Sequence, residues 1–179
     1  MTIAPGATQK IRITVENRDS LGPGGHYGAL TFRMEDIAYN DTGNSIAVNQ
    51  LFSSLVFVKK IGGEIYDLSL KGSEFSRNVV RFPEKARLRF QNSGNVHVVP
   101  RGVVIVTDPL GRSVWKGIIN QESALILPET LRVYPVRLNP LAIRFIPGRY
   151  VVAISYRYDG RGEFTTVLDT RVFIPPLFI

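Results

Sequence analysis

Apolar and polar residues alternate in short runs along most of this chain. Residues 10–16 put Ile11, Ile13 and Val15 on one side and Lys10, Arg12 and Thr14 on the other, the period-2 pattern of a half-buried strand. Residues 26–34 predict a second strand, with Leu30, Phe32 and Met34 sharing a parity. Residues 45–58 are apolar at both parities, notably at Leu51, Phe52, Leu55 and Phe57, which predicts a strand buried on both faces. Their β-branched and aromatic content favours strand over helix. Lys59 through Gly63 then reads as a hinge.

The second part of the chain is patterned more regularly. Residues 65–70 open it, and a polar loop runs to Pro83. Residues 86–91 alternate, with Ala86, Leu88 and Phe90 inward, before the turn Asn92-Ser93-Gly94-Asn95. Residues 98–107 predict a strand stopped by the β-turn tetrad Asp108-Pro109-Leu110-Gly111. Residues 113–119 carry the one tryptophan, Trp115. Along residues 131–138 the inward phase shifts at Pro135, from Leu131 and Val133 to Val136 and Leu138. A bulge or an edge is expected there, because proline donates no ladder hydrogen bond. Residues 150–158 place Tyr150, Val152, Ile154, Tyr156 and Tyr158 on one side, Asp159-Gly160-Arg161-Gly162 reads as a hairpin turn, and residues 164–174 close the unit.

Seven short strands with turns about every ten residues, and no amphipathic helix of useful length, predict an all-β, immunoglobulin-like antiparallel β-sandwich. The pattern also repeats. Pro5 and Pro128 are 123 positions apart, and so are Tyr27 and Tyr150, each tyrosine following a Pro-Gly corner. A unit of that size fills residues 63–179. Residues 1–62 then read as the C-terminal half of a second sandwich, the chain starting inside its first domain. Tyr27 and Tyr150 resemble strand-edge tyrosines, ring buried and hydroxyl tied to a nearby carbonyl.

Composition narrows the chemistry. The chain has 179 residues, is 44% hydrophobic and 21% charged, and has no cysteine, which excludes disulfides, thiolate nucleophiles and cysteine metal sites. No signal peptide is visible at the start. The apolar end, residues 173–179, is too short to span a bilayer, so a membrane contact requires an anchor outside this chain. The two histidines, His26 and His97, fall in different units, and the carboxylates are scattered, so no catalytic set, metal or cofactor is expected. Asn40-Asp41-Thr42 matches a glycosylation sequon of the kind that arises by chance. Trp115 reads either as a ligand-stacking ring or as a core side chain.

The net charge of +7 is concentrated after residue 60. Arg87 and Arg89 are outward partners of Leu88 and Phe90, and Arg157 opposes the tyrosines in parity. Together they are a candidate stripe for contact with a polyanion or partner; a solvated sheet face with cross-strand ion pairs is the commoner reading of such a pattern. The spacing lacks the aromatic interleaving of single-strand nucleic-acid binders, so no specific nucleic acid is expected. Leu51, Phe52, Leu55 and Phe57 are the candidate exposed apolar strand if the first sandwich is incomplete, open to strand exchange or homo-oligomer formation.

An ordered series of short pieces resembles a known family. Pro23-Gly24-Gly25-His26-Tyr27-Gly28-Ala29 resembles the end of the first domain of bacterial WxL-interacting surface proteins. Phe90 through His97, Pro100-Arg101-Gly102, Asp108 through Gly111, Leu127-Pro128 and Pro147-Gly148-Arg149-Tyr150 resemble their second domain. The resemblance implies an extracellular protein with immunoglobulin-like domains that engages cell-wall polymer or a surface protein without catalysis. The first half of the first domain and a C-terminal membrane helix are not in this chain. The other function classes in view are a strand-exchange assembly protein of the pilus chaperone or subunit kind, and a carbohydrate-binding accessory module.

Overall fold

A computed structural model describes residues 6–33, 51–75, 84–141 and 146–174. The expected turn at 40–44, the sequon, Met34, the first part of the strand predicted over 45–58 and the loop 76–83 lie outside the described residues.

The described residues form nine antiparallel strands. β1 (Gly24–Arg33) and β2 (Leu51–Lys60) pair as a two-stranded sheet. The others are β3 (Leu68–Phe75), β4 (Lys85–Asn92), β5 (Arg101–Thr107), β6 (Ser113–Ile119), β7 (Leu131–Pro140), β8 (Gly148–Tyr158) and β9 (Arg161–Phe173). These seven follow the order β3-β4-β7-β6-β5-β8-β9. β7 makes the fold close. Its first part pairs with β4 from Leu131 to Arg137, and its last part pairs with β6 from Leu138 to Pro140. The sheet turns over at that strand. As a result Phe90 of β4 meets Tyr156 of β8 edge-to-face at 4.9 Å, although three strands separate them in the ladder. The Leu70 amide of β3 likewise donates to the Tyr156 hydroxyl. The layers are therefore β3-β4-β7 and β6-β5-β8-β9, an immunoglobulin-like sandwich.

Period-2 patterning explains the core. Ala86, Leu88 and Phe90 on β4 and Tyr150, Val152, Ile154, Tyr156 and Tyr158 on β8 are all buried, as their alternation requires. Tyr150 also forms the expected corner: its hydroxyl donates to the Ile146 carbonyl at 2.6 Å and accepts from the Ile146 amide at 3.2 Å. Trp115 is buried against Tyr150 and Phe173, so its ring is not presented to a ligand.

Three expectations are corrected. Residues 10–16 alternate but join no strand ladder, and Ile11, Ile13 and Val15 are exposed. The 123-residue offset places them at Tyr134, Val136 and Leu138, the buried positions of β7. The pattern is that of a β7-like strand, but no β4-like or β6-like neighbour flanks it among the described residues. The inward phase does not shift at Pro135: Tyr134, Val136 and Leu138 face in, Leu131 and Val133 do not, and Pro135 sits opposite Arg87 in an unbroken register. Of the bulge or edge expected at Pro135, it is the edge that is seen among the described residues, since β6 pairs only from Leu138 onward. The strand predicted over 98–107 enters its ladder at Arg101, because Pro100 has no N–H to give; Val98 makes a lone bridge to Ile126.

The Asp108 turn is tied from within. Its carboxylate accepts from the Leu110 and Arg112 amides at 2.9 Å each and from the Arg112 guanidinium at 2.7 and 2.8 Å. Burial pushes the Asp108 carboxyl up, but these donors together outweigh it and hold the group below its ordinary value. A depressed folded value contributes stability that is complete above the ordinary carboxylate range and disappears as pH falls through the folded value. Asp108→Asn is therefore expected to lower the melting temperature at pH 7 and to flatten its decline in acid, measured by thermal melts from neutral pH to below about 3.9. Parallel curves for the two proteins would contradict this.

Candidate binding surface at the hairpin

The hairpin β1–β2 is anchored to the sandwich at one end. Its root is held by the turn after β4. Asn92 is buried, and its amide nitrogen donates to the Val96 and Ile126 carbonyls while its oxygen accepts from the Gly94 amide. Gly94 passes so close to the Ile65 carbonyl that any Cβ would collide with backbone. That passage delivers Asn95. Its backbone oxygen accepts from the Gly25 amide at 2.8 Å, and its backbone amide donates to the Ile65 carbonyl at 3.1 Å. Its side-chain oxygen accepts from the Ile65 amide at 2.7 Å, and its side-chain nitrogen donates to the Gly63 and Pro23 carbonyls at 2.9 and 3.4 Å. One asparagine thus ties hairpin, linker and sandwich together.

Tyr27 adds a second tie. Its hydroxyl accepts from the His97 amide at 2.8 Å and lies 3.2 Å from the His97 ring Nδ1. Burial pushes the Tyr27 hydroxyl above its ordinary value, only partly offset by the bond from His97. The rings of Tyr27, Phe57 and His97 pack within 5.6 to 5.9 Å of one another. Unlike Tyr150, then, Tyr27 spends its hydroxyl on the neighbouring unit rather than on a local carbonyl. Lys60 donates to the Arg18 and Leu21 carbonyls, and Lys59 to the Tyr66 hydroxyl.

Away from the root nothing covers the hairpin among the described residues. Leu51, Phe52, Leu55 and Phe57 are 63%, 58%, 65% and 42% exposed. Double-sided burial was expected for this segment and is not seen, because no sheet lies over either face among the described residues. The register assigns Leu51, Leu55 and Phe57 to the face of Tyr27, and Phe52 to the other face opposite Phe32. The Tyr27 face continues into a groove of about 710 Å³ against the sandwich, walled by Leu55, Phe57, Leu125, Ile126, Leu127 and Leu131. Two strands alone are marginally stable in water, so this apolar surface has a driving force toward further pairing.

The arginines separate into two places. Arg87 and Arg89 stand on β4 and reach Glu74 of β3 at 3.9 and 3.1 Å, as an ion-paired sheet face does. Arg157 is on β8 in the other layer, its guanidinium 5.3 Å from the centre of the Phe164 ring. No single stripe unites the three.

No protein-family model and no curated protein matches this chain. The function therefore rests on the geometry. The shifted groups serve structure: Asp108 ties its turn, and Glu64 is held below the ordinary range by its own amide and those of Gly63 and Gly62. Burial pushes Tyr134 up to about 12, and its hydroxyl donates to the Ala124 carbonyl. No group of three or more His, Asp or Glu able to hold a metal occurs among the described residues. The roles of Asn95 and of the groove residues 125–127 and 131 escaped the sequence reading, which marked the Asn-Ser-Gly-Asn turn, Leu127 and Leu131 but held no signal for what they would touch.

Proposed function

We propose that this protein is a non-catalytic binding module of a cell surface, and that it engages a partner polypeptide along the β1–β2 hairpin. The observation that carries this reading is the uncovered apolar strand β2, standing on a firmly anchored root beside an apolar groove. An extended segment laid along an open edge gains main-chain hydrogen bonds, and alternate side chains gain apolar contact. The resemblance to WxL-interacting proteins supports the extracellular placement. The same exposed strand also supports strand exchange between copies as the second reading.

Light scattering over a concentration series tests both. The wild-type chain is expected to associate as concentration rises, and Leu51→Asp/Leu55→Asp, at 63% and 65% exposed positions, to remain monomeric with its melting temperature little changed, since exposed substitutions move stability by about 0.5 kcal/mol or less. For the partner reading, hydrogen exchange with a synthetic peptide of residues 51–60 should protect the hairpin amides. A wild-type chain that stays strictly monomeric and gains no protection from the peptide would remove the proposal.

A further inference from the structure

The rim where β5 begins and β8 turns into β9 holds a net positive cluster, three arginines to one carboxylate. Arg101 and Arg157 are directly opposite partners in the β5–β8 ladder. Like charges facing each other across two strands repel. Arg161, the first residue of β9, lines the same cleft of about 340 Å³. The other walls are Val99, Tyr158, Gly160, Gly162 and one carboxylate, Asp159. Asp159 also faces Lys59, and Glu163 acts on Arg161 from outside the cleft.

Two of the three cations are positioned rather than loose. Arg157 is stacked on Phe164, and Arg161 is favoured by the Tyr158 hydroxyl beside it. The ladder shifts register between Tyr156 and Tyr158, at Arg157 itself, and such irregularities re-aim side chains. None of the three has a carboxylate within ion-pairing distance among the described residues, whereas Arg87, Arg89, Arg112 and Arg171 each have one. A surface face of arginines normally recruits acids, as Glu74 shows on the opposite layer. Here the sequence places two arginines face to face and adds a third.

We propose that this cleft is a binding site for a phosphate-class oxyanion, seated between Arg101, Arg157 and Arg161. The planar guanidinium fork matches the paired oxygens of a tetrahedral anion, and one such group relieves the repulsion between Arg101 and Arg157. The source of that group is either a free ion or a phosphodiester within a polymer. This site is independent of the hairpin.

Isothermal titration calorimetry with the full chain tests it, using inorganic phosphate, synthetic poly(glycerol phosphate) and duplex DNA as probes. Two double variants each remove two positive charges: Arg101→Gln/Arg157→Gln within the cleft, and Arg87→Gln/Arg89→Gln on the other layer. Saturable binding is expected, weakened about tenfold or more by the cleft variant and little changed by the β4 variant. Saturation by inorganic phosphate identifies a free-ion site; saturation by the polymer alone identifies a phosphodiester. Thermal melts of the cleft variant should match or exceed the wild type, since it loses a repulsion, which separates lost binding from lost folding. Equal weakening by both variants, or DNA binding that both reduce alike, would mean that net charge alone is responsible and would overturn the site. Failure of all three probes to saturate would overturn it as well.

Discussion

Asn92→Asp is expected to unfold the sandwich at neutral pH and to regain part of its stability in acid. The side chain of Asn92 is fully buried. Its amide nitrogen supplies the donor for two carbonyls, Val96 at 2.7 Å and Ile126 at 3.1 Å. A carboxylate there turns a double donor into an acceptor, setting a negative oxygen against both carbonyl dipoles. Each unsatisfied buried group costs about 1–3 kcal/mol, and the buried charge adds to that. The total is a large part of the roughly 5–15 kcal/mol that holds a domain folded. The sign of the pH dependence follows from the same contacts. Burial and the facing carbonyls raise the new carboxyl above its unfolded value of about 3.9. Stability is then lost as pH rises through the raised folded value and is recovered below the unfolded one, when the protonated acid donates again. Asn92→Ala supplies the comparison, having the lost bonds without the charge. Thermal melts of both variants at pH 7 and near pH 4 check the point. The gap between them should narrow in acid, and a constant gap would contradict the assignment.

Phe90→Ala is expected to cost about 3–5 kcal/mol. Phe90 is fully buried where the two layers touch, with its ring edge-to-face to Tyr156 at 4.9 Å and to Tyr134 at 6.0 Å. Its removal leaves a cavity between the layers, and the Tyr156 hydroxyl that receives the Leu70 amide loses the packing that aims it. A loss of that size lowers the melting temperature of a domain of about 100 residues by roughly 20 °C. Denaturant unfolding of the variant beside Leu55→Ala measures the contrast, since Leu55 is exposed and its truncation should be nearly silent. Similar costs for the two would mean that the layers do not meet at Phe90.

Particular strands show how much of this was legible in the sequence. β4 and β8 alternate strictly, and every side chain expected inward on them is buried, because a half-buried strand writes its orientation into its parity. β7 was misread because Leu131 and Val133 were taken as core, a parity that passes over Tyr134. A tyrosine with its hydroxyl on a carbonyl, here that of Ala124, is as good a core residue as leucine. Residues 10–16 and β2 show the opposite limit. Their apolar content announces a face that calls for cover, and says nothing about whether a cover is at hand. The arginines fail for a related reason. Parity says that Arg87, Arg89 and Arg157 point outward, but outward from which layer depends on β7 turning the sheet over. The Arg101–Arg157 opposition needs the register of two strands far apart in the chain, which no local pattern contains.

β7 is a seam shared by both halves of the sandwich. Neither half is able to come apart while the other stays whole, because each borrows a length of the same strand for its border. Loosening that begins at β4 is passed on to β6, and amides on the two sides of the molecule should exchange with solvent in a single concerted opening. The price of such economy is that damage to one border strand is felt by the entire sandwich.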